Sequence, residues 1–357
     1  MNATLKKTVW TGLRVGVILA GLGYILWSIQ WSDDPETGRL GMTSLVRAAD
    51  PGWLLGGFLV LSVIFPLQAW RWHGLLACRG LDVSRRSVLR LVMVGLFFNF
   101  CVPVGSNGGD VAKAYGAARG VKTPGSRATA VVSVLLDRVT GLLGLVLLAA
   151  ILGPMLWGSP VGQKVTLIAW SGLVAVLVGG GVYLWPVTRK WLGVDLATKL
   201  SVVEKLDAAV TGYRHHGGVL ARAVAVSLPV HLAIAVSTAM AGYAIGVTTP
   251  WLAMVGALPI VFLVGALPLT FMGLGVMEPT AFALLATDQG ASKNQIIAML
   301  MAWRLFSLIY ALGGGALLLG KGIHLHERET DGRLDAAEAA AAENPAGAAE
   351  VADAAGR

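Results

Sequence analysis

Asn99–Arg119 reads NFCVPVGSNGGDVAKAYGAAR, and the order of its residues decides the fold class. An apolar run, Leu91–Phe98, leads into it. The run breaks at Pro103 and Gly105, breaks again at Gly108-Gly109, and then meets an acid at Asp110. A basic helical stretch follows, with Lys113, Tyr115 and Arg119 at roughly helical spacing. A soluble core has no use for this order. In lipid, backbone that leaves the helix is tolerated only where protein or a water-filled cavity satisfies its N–H and C=O groups. A broken, charged hairpin at membrane depth therefore marks a cavity.

Composition agrees with a lipid environment. Over 357 residues, 55% are hydrophobic and only 13% charged, and the mean hydropathy is +0.70. Several apolar stretches reach the ~20 residues that span a ~30 Å hydrocarbon layer. Glycine is abundant, 46 residues, as is common where membrane helices pack closely. Cys78 and Cys101 are too few and too far apart for a disulfide framework or a zinc site, and both read as structural. The net charge of +8 would by itself suit nucleic acid, but the basic residues sit between apolar spans, where they report topology and anionic headgroups. Lys6-Lys7 followed by Val15–Trp27 resembles a signal sequence without a small-residue cleavage site, so it is expected to stay as a first span.

Flanking charge orders the rest, since positive residues mark the cytoplasmic side. Span 1 runs over about Val9–Ile29, from a cytoplasmic N-terminus to an external linker, Trp31–Asp50. Span 2, about Trp53–Ala77, returns to a loop carrying Arg79, Arg85, Arg86 and Arg90. The apolar piece Leu89–Val104 then has basic flanks on both sides, which predicts a re-entrant hairpin dipping in from the cytoplasm. Span 3, about Ala128–Ala150, goes out, and span 4, about Val165–Trp185, comes back. Leu196–Tyr213 has the periodicity of an amphipathic surface helix, or of a linker helix packed on protein. Span 5, about Ala223–Ile245, goes out again. Trp251–Thr287 breaks at PLTFMGLGVMEP, residues 268–279, and forms a second hairpin entering from outside. The last span, Ile296–Leu319, ends in the cytoplasm. The expectation is thus an all-α polytopic membrane protein with about six full spans and two oppositely oriented re-entrant hairpins.

The two hairpins share an order. Pro103, Gly105, Gly108, Gly109, Asp110 is matched by Pro268, Gly273, Gly275, Glu278, and each is followed by a span with an arginine, Arg138 and Arg304. Pro66 and Gln68 precede the first; Pro229 and His231 precede the second. With opposite orientation, this is the inverted repeat of secondary transporters, whose sites lie near the midplane at the repeat interface. The chain divides into 1–50 (first span and external linker), 51–153 (repeat 1), 154–221 (connecting span and amphipathic helix), 222–320 (repeat 2) and 321–357. The last segment is Ala/Glu-rich without large apolar residues and is expected to be disordered.

NFCVPVGSNGGDVAKAYGAAR, LLDRVTGLLGL, LPLTFMGLGVMEPTAFALL and WRLFSLIYALGG together resemble the flippase-like domain family, the membrane portion of lysylphosphatidylglycerol synthases, over about Trp53–Gly320. The resemblance implies a multi-pass, lipid-handling protein of the bacterial inner membrane, in one member helping aminoacylated phospholipid between leaflets. Thr270-Phe271-Met272 stands where the family more often has Thr-Pro-Gly, so the second bend is expected to differ. The stretch carries no soluble aminoacyl-transfer domain, so the resemblance does not extend to the synthase reaction.

An ionised side chain at a helix centre costs roughly 2.5–3.5 kcal/mol on insertion scales, so Arg138 and Arg304 need partners or a function. They read either as bidentate donors to a lipid phosphate or as partners of Asp110 and Glu278 in structural pairs. Those two carboxylates, each after glycines at a helix start, read as caps or as ligands for a cationic or proton-coupled group. Lys113 and Arg119 are expected at the cytoplasmic mouth. Asn99, Gly108, Gly109, Tyr115, Asp137, Gly273 and Gly275 complete the candidate headgroup site. Arg71 and His231 are further candidates, read first as a snorkelling anchor and a satisfied core histidine. No metal cluster, nucleotide loop or nucleophile elbow is evident, so no cofactor and no catalysis are expected.

The reading is a lipid translocator that moves a phospholipid or another anionic or aminoacylated headgroup through a polar cavity between the hairpins. The alternative is an integral membrane enzyme or accessory subunit acting on a lipid-linked glycan or phospholipid, with Asp110, Asp137 and Glu278 catalytic. A membrane lipid is the expected partner; a homodimer and a separate lipid-modifying enzyme are open.

Overall fold

The computed structural model describes residues 23–24, 26–36, 39–81, 83–101, 108–120, 126–184, 212–266, 271–286 and 291–321. Most of span 1, nearly all of Leu196–Tyr213, and the tail lie outside them, as do Pro103, Gly105 and Pro268. Every regular element among the described residues is helical. In chain order these are α1 (Met42–Ala48), α2 (Pro51–Ser62), α3 (Ile64–Ala77), α4 (Arg85–Cys101), α5 (Gly108–Gly120) and α6 (Ser126–Leu152). There follow α7 (Pro160–Leu184), α8 (Gly217–Ala244), α9 (Trp251–Gly265), α10 (Met277–Leu285) and α11 (Lys293–Lys321).

Four helical stretches among the described residues are long and apolar enough to cross a membrane: Pro51–Ala77, Arg127–Leu156, Arg214–Ala244 and Lys293–Leu318. Each has 26 or more residues, about 39 Å at 1.5 Å per residue, against a ~30 Å hydrocarbon core. They fall on the predicted spans 2, 3, 5 and last. The predicted span 4 falls on α7, 25 residues long. The stretch Pro51–Ala77 begins cleanly because Asp50 caps α2, accepting from Gly52 N at 2.7 Å, with Pro51 at the first helical position.

Apolar side chains face both ways, as they must in lipid. Leu55, Leu59, Leu135, Ile168, Val174, Leu252, Leu305 and Leu312 are exposed. Inside, one core gathers Trp72, Leu75, Leu76, Leu91, Ala130 and Val230. A second gathers Ala239, Met254, Leu258, Met277, Ile296 and Met299. Helices α8 and α11 run through both cores. Small residues set the close approaches: Ser237 Oγ donates to Gly57 O at 2.7 Å, binding α8 to α2.

Helices α4 and α5 form an antiparallel hairpin. Gly95 faces Lys113, Asn99 faces Gly109, and a side chain at Gly109 would run into the Gly95 carbonyl. Asn99 Oδ1 accepts from Gly109 N at 2.8 Å and ties the start of α5 to the end of α4. A second reversal joins α9 to α10, where Gly265 meets Gly273 and Met277. Its turn holds Met272 (φ 53), Gly273 (φ 69) and Gly275 (φ 80). A left-handed conformation costs an L-residue roughly 1–2 kcal/mol and glycine nothing. Met272, unlike the two glycines, therefore bears that cost.

Candidate functional site

Four ion pairs stand where the sequence placed charge in the bundle. Asp137 of α6 binds two cations, Arg71 Nε of α3 at 2.8 Å and Lys113 Nζ of α5 at 2.7 Å. Arg71 Nη1 also donates to Ser227 Oγ of α8 at 2.8 Å. Lys113 lies over the Trp72 ring, 4.6 Å from its centroid, and the Trp72 indole donates to Ser133 Oγ at 3.0 Å. Arg71, Lys113 and Asp137 are 9%, 9% and 3% exposed. Ions this deep are held only by mutual pairing and further hydrogen bonds.

Arg138, the next residue along α6, pairs with Asp110 of α5 at 3.1 Å, and both side chains stay about a third open. Arg304 Nη1 of α11 lies 2.7 Å from Glu278 Oε1 of α10. Glu278 Oε2 accepts from Gly275 N at 2.8 Å, so this carboxylate ties the left-handed turn to α10. Arg304 Nε is buried without a hydrogen-bond partner among the described residues. Arg304 Nη2 approaches the Met272 carbonyl at 3.5 Å and Met277 Sδ at 3.8 Å.

A cavity of about 340 Å³ lies between the two helical hairpins. Gln68, Arg71, Asn99, Asp110, Lys113, Asp137, Arg138 and His231 give its polar wall. Met272, Met277, Trp303 and Ser307 give the wall on the side of the second hairpin. His231 Nε2 lies 2.9 Å from Gly141 O, so it donates there and is satisfied, as its sequence context suggested.

Several expectations need correction. Arg71 does not snorkel toward an interface; its guanidinium turns inward onto Asp137 and Ser227, because a buried carboxylate binds it more firmly than distant water. Lys113 is not at an open mouth but buried against Asp137 and Trp72. Arg304 and Glu278 are not on the cavity wall; they pair behind Met272 and Met277. Tyr115 and Arg119 are exposed, with the guanidinium 4.7 Å from the ring centroid, and do not line the cavity. Gly108, Gly109, Gly273 and Gly275 shape the turns rather than the wall. Of the pairings left open between two arginines and two acids, each arginine takes the acid of the hairpin that precedes it in the chain.

Gln68, Ser227, Trp72 and Ser307 were missed as site residues. A signal existed for the first and third. In α3 the positions Phe65, Ala69, Trp72, Leu75 and Leu76 are buried on one helical face, and Gln68 and Arg71 fall beside it at the same spacing. Among the described residues no group of His, Cys, Asp or Glu could hold a metal ion.

Fold and site together define a polytopic helical membrane protein with a charged cavity inside its bundle. The chain belongs to the family of the lysylphosphatidylglycerol synthase transmembrane region, whose family model matches residues 13–314. No curated protein matches it. The family places the protein in membrane lipid handling.

Proposed function

We propose that this protein translocates a phospholipid headgroup between leaflets, the acyl chains staying in the bilayer. One observation carries the reading: the ~340 Å³ cavity between the hairpins is lined by the ion pairs of Arg71, Lys113 and Arg138 with Asp137 and Asp110. A phosphodiester is a set of strong acceptors for such donors, and a guanidinium binds it in a planar fork. Asp137 engages one donor of Arg71 and one of Lys113. An arginine has five donors and a lysine three, so both cations retain capacity for a second acceptor. Asp110 and Arg138, about a third open on the wall, are the pair a headgroup exchanges with.

In this reading α4–α5 and α9–α10 are re-entrant hairpins of an inverted repeat, entering from the cytoplasm and from outside. Rocking one repeat against the other exposes the cavity to each side in turn. The test is movement of an acyl-labelled phospholipid in proteoliposomes. Arg138→Lys keeps the charge but loses the fork, and is expected to slow movement several-fold at normal expression. The covalent structure of the lipid should not change; a new lipid product that disappears in Asp110→Asn would replace the translocator with an enzyme.

A further inference from the structure

We infer that the cavity is built for a phospholipid whose headgroup carries one net negative charge, in preference to one made cationic by an added amino acid. This rests on the translocator reading and names its substrate class.

The charges on the wall are unequal. Arg71, Lys113 and Arg138 face Asp110 and Asp137, three cations against two carboxylates. Each carboxylate is held in an ion pair, and Asp137 is shared by two cations. Among the described residues the cavity wall therefore carries one unit of positive charge in excess. No ionisable residue occurs in the segments joining the hairpin helices at 102–107 (VPVGSN) and 267–270 (LPLT). Arg304 and Glu278, behind the wall, cancel each other. His231 donates to Gly141 O and supplies no negative charge.

An unbalanced charge inside a bundle is costly, and a bound ion of opposite sign relieves it. A phosphodiester brings one negative charge and leaves the occupied cavity neutral. A headgroup carrying that phosphate together with a lysyl group's two ammonium groups brings a net positive charge. It adds like charge to the existing excess, where attraction and repulsion are stronger than in water. Asp137 offers such ammonium groups little, because Arg71 and Lys113 already share it, and Asp110, released as Arg138 turns to the phosphate, can meet only one of the two.

The test reads binding and movement separately. Native mass spectrometry of the purified full chain with an equimolar mixture of phosphatidylglycerol and lysylphosphatidylglycerol reports the occupant. Proteoliposomes with acyl-labelled forms of the same two lipids report transfer. Phosphatidylglycerol is expected to be retained and moved at least about tenfold in preference, a difference of about 1.4 kcal/mol. In Arg138→Gln the excess charge is removed and Asp110 is freed, so the preference should narrow or reverse. Equal or greater retention of the lysyl lipid by the unmodified protein overturns the inference. An unchanged preference in a folded Arg138→Gln variant also overturns it, since the wall charge would then not set it. Selective retention without movement of either lipid leaves the binding inference standing and removes the translocator reading.

Discussion

Lys113 Nζ and Asp137 Oδ2 stand 2.7 Å apart, on two helices, although the residues are 24 positions apart in sequence. With Arg71 on the other oxygen of Asp137, this contact joins α3, α5 and α6 around one carboxylate. The first helical hairpin is thus fastened to the bundle through a charge that also faces the cavity.

Asp137→Asn should destabilise the fold sharply. It leaves Arg71 and Lys113 buried with their counter-ion gone, and breaking a buried pair in this way costs about 3–5 kcal/mol. Asp110→Asn, in a pair about a third open, should cost less than about 1 kcal/mol. Thermal unfolding in detergent, followed by size-exclusion chromatography, ranks the two; equal losses would contradict the burial difference.

Gly109→Ala should pry the first hairpin apart, because the new methyl meets the Gly95 carbonyl and the Asn99 side chain. Overpacking of this kind costs roughly 1–3 kcal/mol. Gly158→Ala is the matched control, since nothing lies within 4 Å of its added carbon. Melting temperatures of the two variants should differ by several degrees, with the proposed lipid movement lowered only in Gly109→Ala.

Met272→Gly should stabilise slightly. It removes the ~1–2 kcal/mol of left-handed strain and incurs the ~0.5–1 kcal/mol of extra chain entropy that glycine brings. The expected net gain is about 0.5 kcal/mol, read as a small rise in melting temperature. A clear fall would show that packing of the Met272 side chain on the cavity wall outweighs its backbone strain.

The proposed inverted orientation has its own measurement. Single cysteines at residues 105–110 should react with an impermeant reagent from the cytoplasmic side, and those at 273–278 from outside. The background must lack Cys78 and the exposed Cys101. Reaction of both sets from one face would rule out the inverted repeat.

The sequence by itself determined the environment and the breaks. Hydropathy is summed residue by residue, so the spans at Trp53–Ala77, Ala128–Ala150, Ala223–Ile245 and Ile296–Leu319 were legible before any contact was known. Glycines at 108, 109, 273 and 275 marked the turns because backbone freedom and close approach are local needs. Arginines inside the spans at 138 and 304 announced a need for anionic partners, a lipid phosphate or a carboxylate. Only the tertiary structure decided which met which. Whether Arg71 points to headgroups or to Asp137 depends on the rotation of α3 about its axis, and that is set by Trp72, Leu75 and Leu76 packing against neighbouring helices. Lys113 turned inward for the same reason, between Gly95, Trp72 and Asp137. Charge near a helix end predicts that a partner is needed. The partner itself is chosen by how helices distant in sequence are packed.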